Sequence, residues 1–156
     1  MKNGADYAFN PFDKDFAQQV KNVTGGGVKT AIEVTGMGAG LDETLDCMAK
    51  FGRVALLGCT RSSDFSIDYY HKVHGPGITL VGAHTIARPN KESYPSYFTH
   101  EDDIKTVLRL CGGGRLPIQN LVKETNLPAD CQTVYSRLAT DKNFPVGVQF
   151  DWRNEE

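Results

Sequence analysis

Glycines after an apolar run are the first residues here whose type and spacing could support chemistry. Gly36 and Gly38 follow the short apolar run 30–34 and fit the first two positions of a dinucleotide fingerprint, G-x-G-x-x-G. Leu41 occupies the third position, where a glycine would let helix and strand meet. The acid that would hold a ribose is also missing, because the next apolar run ends in Gly58-Cys59-Thr60. We therefore interpret the glycines as a tight turn beside a ligand or a neighbouring backbone.

Acidic and imidazole side chains are the next candidates. Glu33 lies in an otherwise apolar run, and an unpaired carboxylate buried there would cost several kcal/mol, so we expect a partner. Glu33 is either a buried structural acid or an acid that reaches a ligand, and we favour the structural role. His71 and His74 lie in a polar stretch and are interpreted as surface residues. His84 differs, because it follows the third apolar run directly.

Cysteines and nucleophile motifs do not indicate a catalytic centre. The four cysteines are far apart and form no C-x-x-C pair, so we predict reduced, mostly buried thiols and no metal site within this chain. They are Cys47, Cys59, Cys111 and Cys131. A Y-x-x-x-K pair would need a tyrosine four residues before Lys72, and neither Tyr69 nor Tyr70 is there. The sequence contains no G-x-S-x-G elbow and no phosphate-binding P-loop. We therefore name no catalytic residue in this chain.

Composition limits the class of protein. The chain has 156 residues, 40% of them hydrophobic and 23% charged, with a net charge of −2. Such a chain can build a core and carries no basic cluster, so nucleic acid and anionic membranes are not expected partners. No apolar run approaches the roughly 20 residues that span a bilayer. Without a signal-peptide core near the start, we expect a cytoplasmic protein.

The elements that must position these residues form an alternating pattern. The apolar runs Thr30–Val34 and Arg53–Leu57 enclose a helical stripe that starts at Leu41 and continues to Ala49. A third apolar run, Ile78–Gly82, follows a Gly-Pro-Gly turn. Apolar strands joined by a helix are typical of a parallel sheet buried on both faces, and ligands bind at the carboxyl ends of such strands. We therefore expect the functional site after the first two runs, at Thr35-Gly36 and Gly58-Cys59.

The remaining segments predict further elements on both sides of this unit. We expect a strand at Tyr7–Asn10, and a helix from about Lys14 to Val23 with Asp13 as its cap and Phe16, Val20 and Val23 buried. Downstream we expect a brief edge segment, an extended stretch, a helix opened by Pro128 and a closing strand. Between the first two we expect a helix that starts at Thr99 or His100 and carries an apolar stripe from Ile104 to Cys111. The edge segment is Ser66–Asp68, the extended stretch is Pro117–Val122, and the closing strand is Val146–Trp152.

The order of these segments resembles one enzyme family. Four stretches carry the resemblance: Gly4-Ala5-Asp6, Thr24 to Val28, Ile32 to Gly36, and Gly52 to Gly58. Together they are similar to the zinc-type alcohol dehydrogenases of the medium-chain dehydrogenase/reductase family, which includes sorbitol and threonine dehydrogenases. The resemblance implies an α/β fold: a partial Rossmann-type parallel sheet with flanking helices, plus a C-terminal helix–helix–strand extension. It also implies a truncated dinucleotide-binding domain at 1–86 and, at 87–156, an extension that in the family packs with the catalytic domain.

The same resemblance implies a reaction and a cofactor surface. The parent enzyme would move a hydride between an alcohol or polyol and NAD or NADP, with a zinc ion that this chain does not itself bind. Backbone atoms near the nicotinamide and its ribose would come from three strand ends: Val34, Thr35 and Gly36; Leu57, Gly58 and Cys59; and Gly82 and Ala83. Because backbone atoms make these contacts, small residues suffice at these positions.

Parts of the family pattern have no match in this sequence. The zinc-binding motifs, the glycine fingerprint and the ribose-binding acid are absent, so we expect a C-terminal piece that does not turn over substrate alone. The strands Tyr7–Asn10 and Thr30–Val34 would then either pair directly or borrow an edge from a second copy, which favours a homo-oligomer. The alternative hypothesis is a non-enzymatic α/β module that self-associates or binds a nucleotide.

Overall fold

The computed structural model describes residues 4–59 and 65–153. These residues form two compact units, one comprising Tyr7–Glu92 and the other comprising the chain from Ser93 together with residues 4–6. The sequence also predicts the last turn of a helix before Gly4 and a polar segment from Arg61 to His74; residues 1–3 and 61–64 of these segments lie outside the described residues. The domain boundary at 86/87 stays a prediction.

The first unit is a three-stranded parallel sheet with helices. Its strands lie side by side in the order β1 (Val28–Glu33), β2 (Met48–Leu56) and β3 (Thr79–Gly82). Its helices are α1 (Phe16–Thr24) before β1 and α2 (Gly38–Asp46) between β1 and β2, with a π-helical turn at Tyr70–His74. The three apolar runs therefore form the predicted parallel strands, and α2 is the predicted crossover helix.

The core of this unit lies on one face of the sheet, beneath α2. Val54, near the carboxyl end of β2, is completely buried, and five further buried residues surround it. They are Leu41, Leu45, Met48, Val73 and Ile78. Because side chains alternate between the faces of a strand, Glu33 and its register neighbour Leu56 point to the same side as Val54. The carboxylate of Glu33 therefore enters the interior.

The opposite face of this sheet carries exposed apolar side chains. Ile32 and Val34 are each 63% exposed, and Leu57 is 50% exposed. Ile32 is in register with Ala55, which in turn is in register with Val81, so a small apolar row crosses the sheet. The sequence-based prediction of a sheet buried on both faces is therefore wrong for this unit, because its described helices cover one face.

The second unit contains two helices and two parallel strands. Its elements are α3 (His100–Gly112), β4 (Val122–Asn126), α4 (Cys131–Thr140) and β5 (Gly147–Phe150). Arg137 on α4 makes two hydrogen bonds to the Glu124 carboxylate on β4, at 2.7 and 3.0 Å, and lies over the Phe144 ring at 5.5 Å. These contacts raise the pKa of Arg137, chiefly through the hydrogen bonds to Glu124. A charged network therefore links helix and strand where the apolar core is small.

Helix α3 begins as its sequence predicts. Thr99 is the N-cap, and its hydroxyl oxygen accepts a hydrogen bond from the Asp102 N–H at 3.3 Å. The predicted apolar stripe forms as well, but it is not buried: Ile104, Val107 and Leu108 are 47%, 49% and 65% exposed. The helical period places these residues on one side, but no described residue buries them.

Several predicted boundaries are wrong at the start of the chain. Residues 7–10 are not a strand, so they do not pair with β1. Helix α1 begins at Phe16, with Asp15 at the N-cap position and no side-chain cap. The Asp13 carbonyl accepts a hydrogen bond from the Phe16 N–H, and the Asp13 carboxylate accepts one from the Gln19 side-chain amide. Of its predicted buried residues, Val20 is buried, whereas Val23 is 42% exposed.

Other predicted elements also differ from the structure. Helix α2 ends at Asp46 and not at Ala49, since β2 already begins at Met48 and pairs there with Val28. Ser66–Asp68 forms no strand, and the stretch predicted as extended at 117–122 contains a 3₁₀ turn, Ile118–Asn120. Pro128 opens a 3₁₀ turn before α4, where Val134 is buried but Tyr135 and Leu138 are 64% and 53% exposed. No helix in the described part of the chain is long and apolar enough to cross a bilayer.

Candidate functional site

Glu33 organises the loop after β1. It is 5% exposed, and its carboxylate accepts hydrogen bonds from the Thr35 N–H at 2.6 Å, the Thr35 hydroxyl and the Gly36 N–H at 3.1 Å. Burial raises the pKa of the Glu33 carboxyl, but the bonds from Thr35 and Gly36 outweigh it and hold the pKa below its usual range. The structural role favoured for this acid is therefore confirmed.

The loops after β1 and β2 touch through their backbones. The Glu33 carbonyl accepts hydrogen bonds from the N–H groups of Leu57 at 2.9 Å and Gly58 at 2.8 Å. A Cβ on Gly58 would lie 2.1 Å from the Gly36 nitrogen, and one on Gly36 would lie 2.9 Å from the Cys59 carbonyl carbon. Gly36 also has a φ of +65°, which favours glycine. Only glycines allow this approach.

The fingerprint-like glycines have a packing role. Helix α2 begins at Gly38, where an added Cβ would lie 2.4 Å from the Phe65 ring. At Gly40 it would lie 2.2 Å from the Thr35 hydroxyl oxygen. These glycines let α2 approach the β1 loop and Phe65, which confirms the interpretation of a tight turn beside neighbouring groups.

The end of β3 completes the edge. Gly82 is in register with Leu56, and the Ala83 N–H donates to the Leu56 carbonyl at 3.1 Å. A Cβ on Gly82 would meet no atom within 4 Å, so the space beside its Cα is open. The eight sequence-predicted cofactor contacts thus come from three adjacent strand ends: Val34, Thr35, Gly36, Leu57, Gly58, Cys59, Gly82 and Ala83.

Two side chains also meet across this edge. Cys59 Sγ lies 3.9 Å from His84 Nε2, and both residues are exposed. The sequence singled out each residue separately but did not predict their contact. The available signal was their position, since each follows the end of one of two neighbouring parallel strands. His71 instead lies at the π-helical turn, where its Nδ1 is 2.8 Å from the Asp68 carboxylate.

A small apolar cavity lies behind the edge. Its volume is about 110 Å³, and its lining includes Glu33, Met37, Leu41 and Phe65. Pockets that enclose drug-sized ligands measure about 300–1,000 Å³, so this cavity cannot hold a dinucleotide. A cofactor would have to lie along the open edge instead.

The backbone N–H groups at the edge indicate which chemical groups could bind there. Five backbone N–H groups there already donate within the chain: those of Thr35, Gly36, Leu57, Gly58 and Ala83. A phosphate needs free N–H groups pointing at it, and these are not free. The exposed apolar side chains of Val34 and Leu57 suit an uncharged ring. The described edge therefore offers more contact to an uncharged ring than to a phosphate group.

A parallel sheet crossed by α2, with glycines at its carboxyl edge, defines a Rossmann-type α/β domain. The sequence profile of the zinc-binding dehydrogenases matches residues 1–113. The chain belongs to this family of oxidoreductases. The resemblance found in the sequence is thereby confirmed, as is the α/β fold class.

Individual proteins agree with this assignment. An L-threonine 3-dehydrogenase from Pyrococcus furiosus is 30% identical over 78% of this chain and 31% of its own length. The structure of benzyl alcohol dehydrogenase from Acinetobacter calcoaceticus matches with a TM-score of 0.70 at 21% identity, over 90% of this chain and 36% of that chain. An alcohol dehydrogenase from E. coli, solved with NADH, matches with a TM-score of 0.68 at 14% identity, over 93% of this chain and 38% of that chain. This chain spans about a third of the length of these proteins.

The described residues hold no cluster suited to a metal ion. In residues 4–59 and 65–153, no group of three or more His, Cys, Asp or Glu side chains could coordinate one. Zinc needs three or four such ligands, so the described residues do not fit it.

Proposed function

We propose that this chain supplies the nicotinamide-facing part of an NAD(P)-dependent, zinc-type alcohol or polyol dehydrogenase. The observation that carries the proposal is the convergence of three parallel strand ends at one open edge, where five backbone N–H groups already donate within the chain. The proposed contacts are Val34, Thr35 and Gly36; Leu57, Gly58 and Cys59; and Gly82 and Ala83. The similarity to the L-threonine 3-dehydrogenase supports an alcohol as substrate.

The residues of this chain would position the cofactor and exclude water. A bound nicotinamide accepts or returns a hydride, which is the chemistry that the cofactor supplies. Glu33 keeps the β1 loop in one conformation, so the backbone beside Gly36 is already ordered when a ligand arrives. Val34 and Leu57 would cover one side of the ring, and the open space at Gly82 would admit the carboxamide.

The proposal is tested with ¹⁵N-labelled chain and amide chemical shifts. Nicotinamide mononucleotide carries the nicotinamide end, whereas AMP carries the adenine end of the cofactor. We expect weak, millimolar binding of the mononucleotide, with shifts at 34–36, 57–59 and 82–83, and no shifts there with AMP. Equal shifts with both nucleotides, or shifts confined to other residues, would contradict the proposal.

Affinity for the whole cofactor is a separate measurement. Because the described edge offers no phosphate cradle, we expect calorimetry with NAD or NADH to give no binding tighter than millimolar. Micromolar binding would mean that the chain holds the pyrophosphate by itself, and the assignment of this edge to the nicotinamide end alone would then be wrong.

The exposed sheet supports a further proposal about assembly. β1 is the outer strand of the sheet, and its Ile32 lies in the exposed apolar row. A second copy of this chain could cover this row and pair with the free side of β1. We propose a homo-oligomer for this reason. The four cysteines are free, which suits the reducing cytosol, where we place the protein.

A further inference from the structure

The contact between Cys59 and His84 brings a thiol and an imidazole to the same edge of the sheet. Cys59 follows β2 and His84 follows β3, so the parallel pairing of these strands places both residues at neighbouring carboxyl ends. Their Sγ and Nε2 atoms lie 3.9 Å apart, within reach of a hydrogen bond to sulfur. Both side chains are open to solvent, so a small reagent can reach the sulfur.

One hydrogen bond to the His84 ring shows which of its two nitrogens carries the proton. The Ile86 N–H donates to His84 Nδ1 at 3.1 Å, so Nδ1 acts as the acceptor. In the neutral ring the proton is then on Nε2, which is the nitrogen beside Cys59 Sγ. His84 therefore presents an N–H donor to the sulfur, and this interaction strengthens when the sulfur becomes negative.

The other cysteines lack this combination of access and partner. Cys47 is buried, and burial raises the pKa of its thiol, so it is a poor nucleophile. Cys111 is half-buried, and Cys131 is exposed in the first turn of α4. The prediction of mostly buried thiols is therefore wrong, since of these four described cysteines Cys47 alone is buried. Cys131 is therefore an internal reference: it is accessible, but it lies in the second unit.

We propose that Cys59 is a modification site for peroxides, with His84 as its positioning residue. The Cys59 thiolate attacks one oxygen of hydrogen peroxide; an S–O bond forms while the O–O bond breaks. The sulfur loses two electrons and becomes a sulfenic acid that keeps one peroxide oxygen, while the other oxygen leaves as hydroxide and takes a proton from the buffer to give water. The Nε2–H of His84 holds the thiolate in place before the attack.

The consequence for function rests on the proposed cofactor edge. The Cys59 backbone belongs to the loop that touches Gly36, and its side chain reaches towards the end of β3. A sulfenic acid or a larger adduct there would lie beside the proposed nicotinamide contacts at Gly58 and Ala83. Oxidation of Cys59 would thus block the nicotinamide end of the cofactor.

The test compares two variants that separate the two roles of His84. In His84→Asn the amide oxygen can replace Nδ1 as acceptor for the Ile86 N–H, but no donor reaches the sulfur. In His84→Gln the longer amide can place an N–H near the position of Nε2, while the bond to Ile86 is lost. The whole chain is exposed to dilute hydrogen peroxide with dimedone, and labelling of each cysteine is followed by mass spectrometry.

We expect Cys59 to be labelled faster than Cys131 in the wild-type chain. In His84→Asn its rate should fall about fivefold, the effect of one modest hydrogen bond, while the rate of Cys131 stays the same. In His84→Gln the rate should remain near that of the wild type. The proposal is overturned if Cys59 reacts no faster than Cys131, or if the two variants behave alike.

A parallel arm tests the placement of the cofactor independently. Nicotinamide mononucleotide at a saturating concentration should slow labelling of Cys59 and leave Cys131 unaffected. If this protection is absent while the difference between the His84 variants persists, the proposed cofactor edge is wrong and the assignment of the thiol stands.

Discussion

The backbone of Gly58 lies directly against the backbone of Gly36, so that a Cβ on Gly58 would be 2.1 Å from the Gly36 nitrogen. This contact joins the loops that follow β1 and β2. It also allows the Gly58 N–H to donate a hydrogen bond to the Glu33 carbonyl at 2.8 Å. The shape of the candidate edge therefore depends on the absence of side chains at two positions 22 residues apart in the chain.

Replacing Gly58 should damage the fold as well as the edge. We expect Gly58→Ala to lower the free energy of unfolding by about 3 kcal/mol or more, because its methyl group would overlap backbone atoms that cannot move independently. Urea unfolding followed by circular dichroism measures the change. Gly82→Ala is the matched control, since its methyl group meets no atom within 4 Å and should alter stability by less than about 0.5 kcal/mol. Equal losses in the two variants would refute the contact.

Glu33 should make stability depend on pH in acid. Hydrogen bonds from Thr35 and Gly36 hold the pKa of Glu33 below its usual range, so the folded state binds its proton less tightly than the unfolded chain does. This stabilisation is present above the unfolded pKa of about 4.3 and disappears as the pH falls through the lower folded pKa. We expect Glu33→Gln to cost about 2 kcal/mol at neutral pH, because its amide faces N–H and O–H donors.

The measurement for Glu33 is the free energy of unfolding from neutral to acid pH. Other carboxyl groups also titrate in acid, so the informative quantity is the difference between the wild type and Glu33→Gln, which should shrink below the unfolded pKa. Glu92→Gln, at an exposed position, should give a curve parallel to that of the wild type. A difference that stays constant with pH would show that Glu33 acts through its shape alone.

Lys72 should stabilise the first unit through two acids of α2. Its Nζ lies 2.7 Å from the Asp42 carboxylate and 2.9 Å from that of Asp46, and its side chain is 20% exposed. We expect Lys72→Met to lower the free energy of unfolding by about 1 kcal/mol, because two carboxylates one helical turn apart would lose their shared cation.

An exposed ion pair provides the comparison for Lys72. Lys105 lies 2.6 Å from the Glu101 carboxylate on α3, but both side chains are more than half exposed. Solvent screens such a pair, so Lys105→Met should change stability much less than Lys72→Met does. Thermal unfolding at low and high salt distinguishes the two lysines, and an equal loss in both variants would contradict the role given to Lys72.

Self-association should depend on the exposed sheet face. We expect Ile32→Asp to shift the average mass in sedimentation equilibrium towards the monomer, since a carboxylate in the apolar row cannot be buried unpaired against a second copy. Ile86→Asp changes an apolar residue that is 83% exposed outside the sheet and should leave the mass unchanged. A wild-type chain that is monomeric at every concentration would rule out the proposed homo-oligomer.

Sequence and structure agree best where the pattern is local. The three apolar runs became β1, β2 and β3, and Thr99 capped α3, because strand and capping signals depend on residues close together in the chain. The prediction and the structure disagree about some helix ends, which depend on contacts that the local pattern does not contain. Helix α2 ends early because Met48 joins the sheet beside Val28, whereas Asp13 does not cap α1 because that helix begins only at Phe16.

By itself, the sequence determined the parallel α/β unit, the family and the three strand ends that form the candidate edge. These follow from the period of the apolar residues, the placement of glycines and motifs read along the chain. Only the tertiary structure decided which faces are covered, how Gly58 meets Gly36, and that His84 lies beside Cys59. Such contacts join residues more than 20 positions apart, and their geometry depends on strand register and packing, which no local pattern contains.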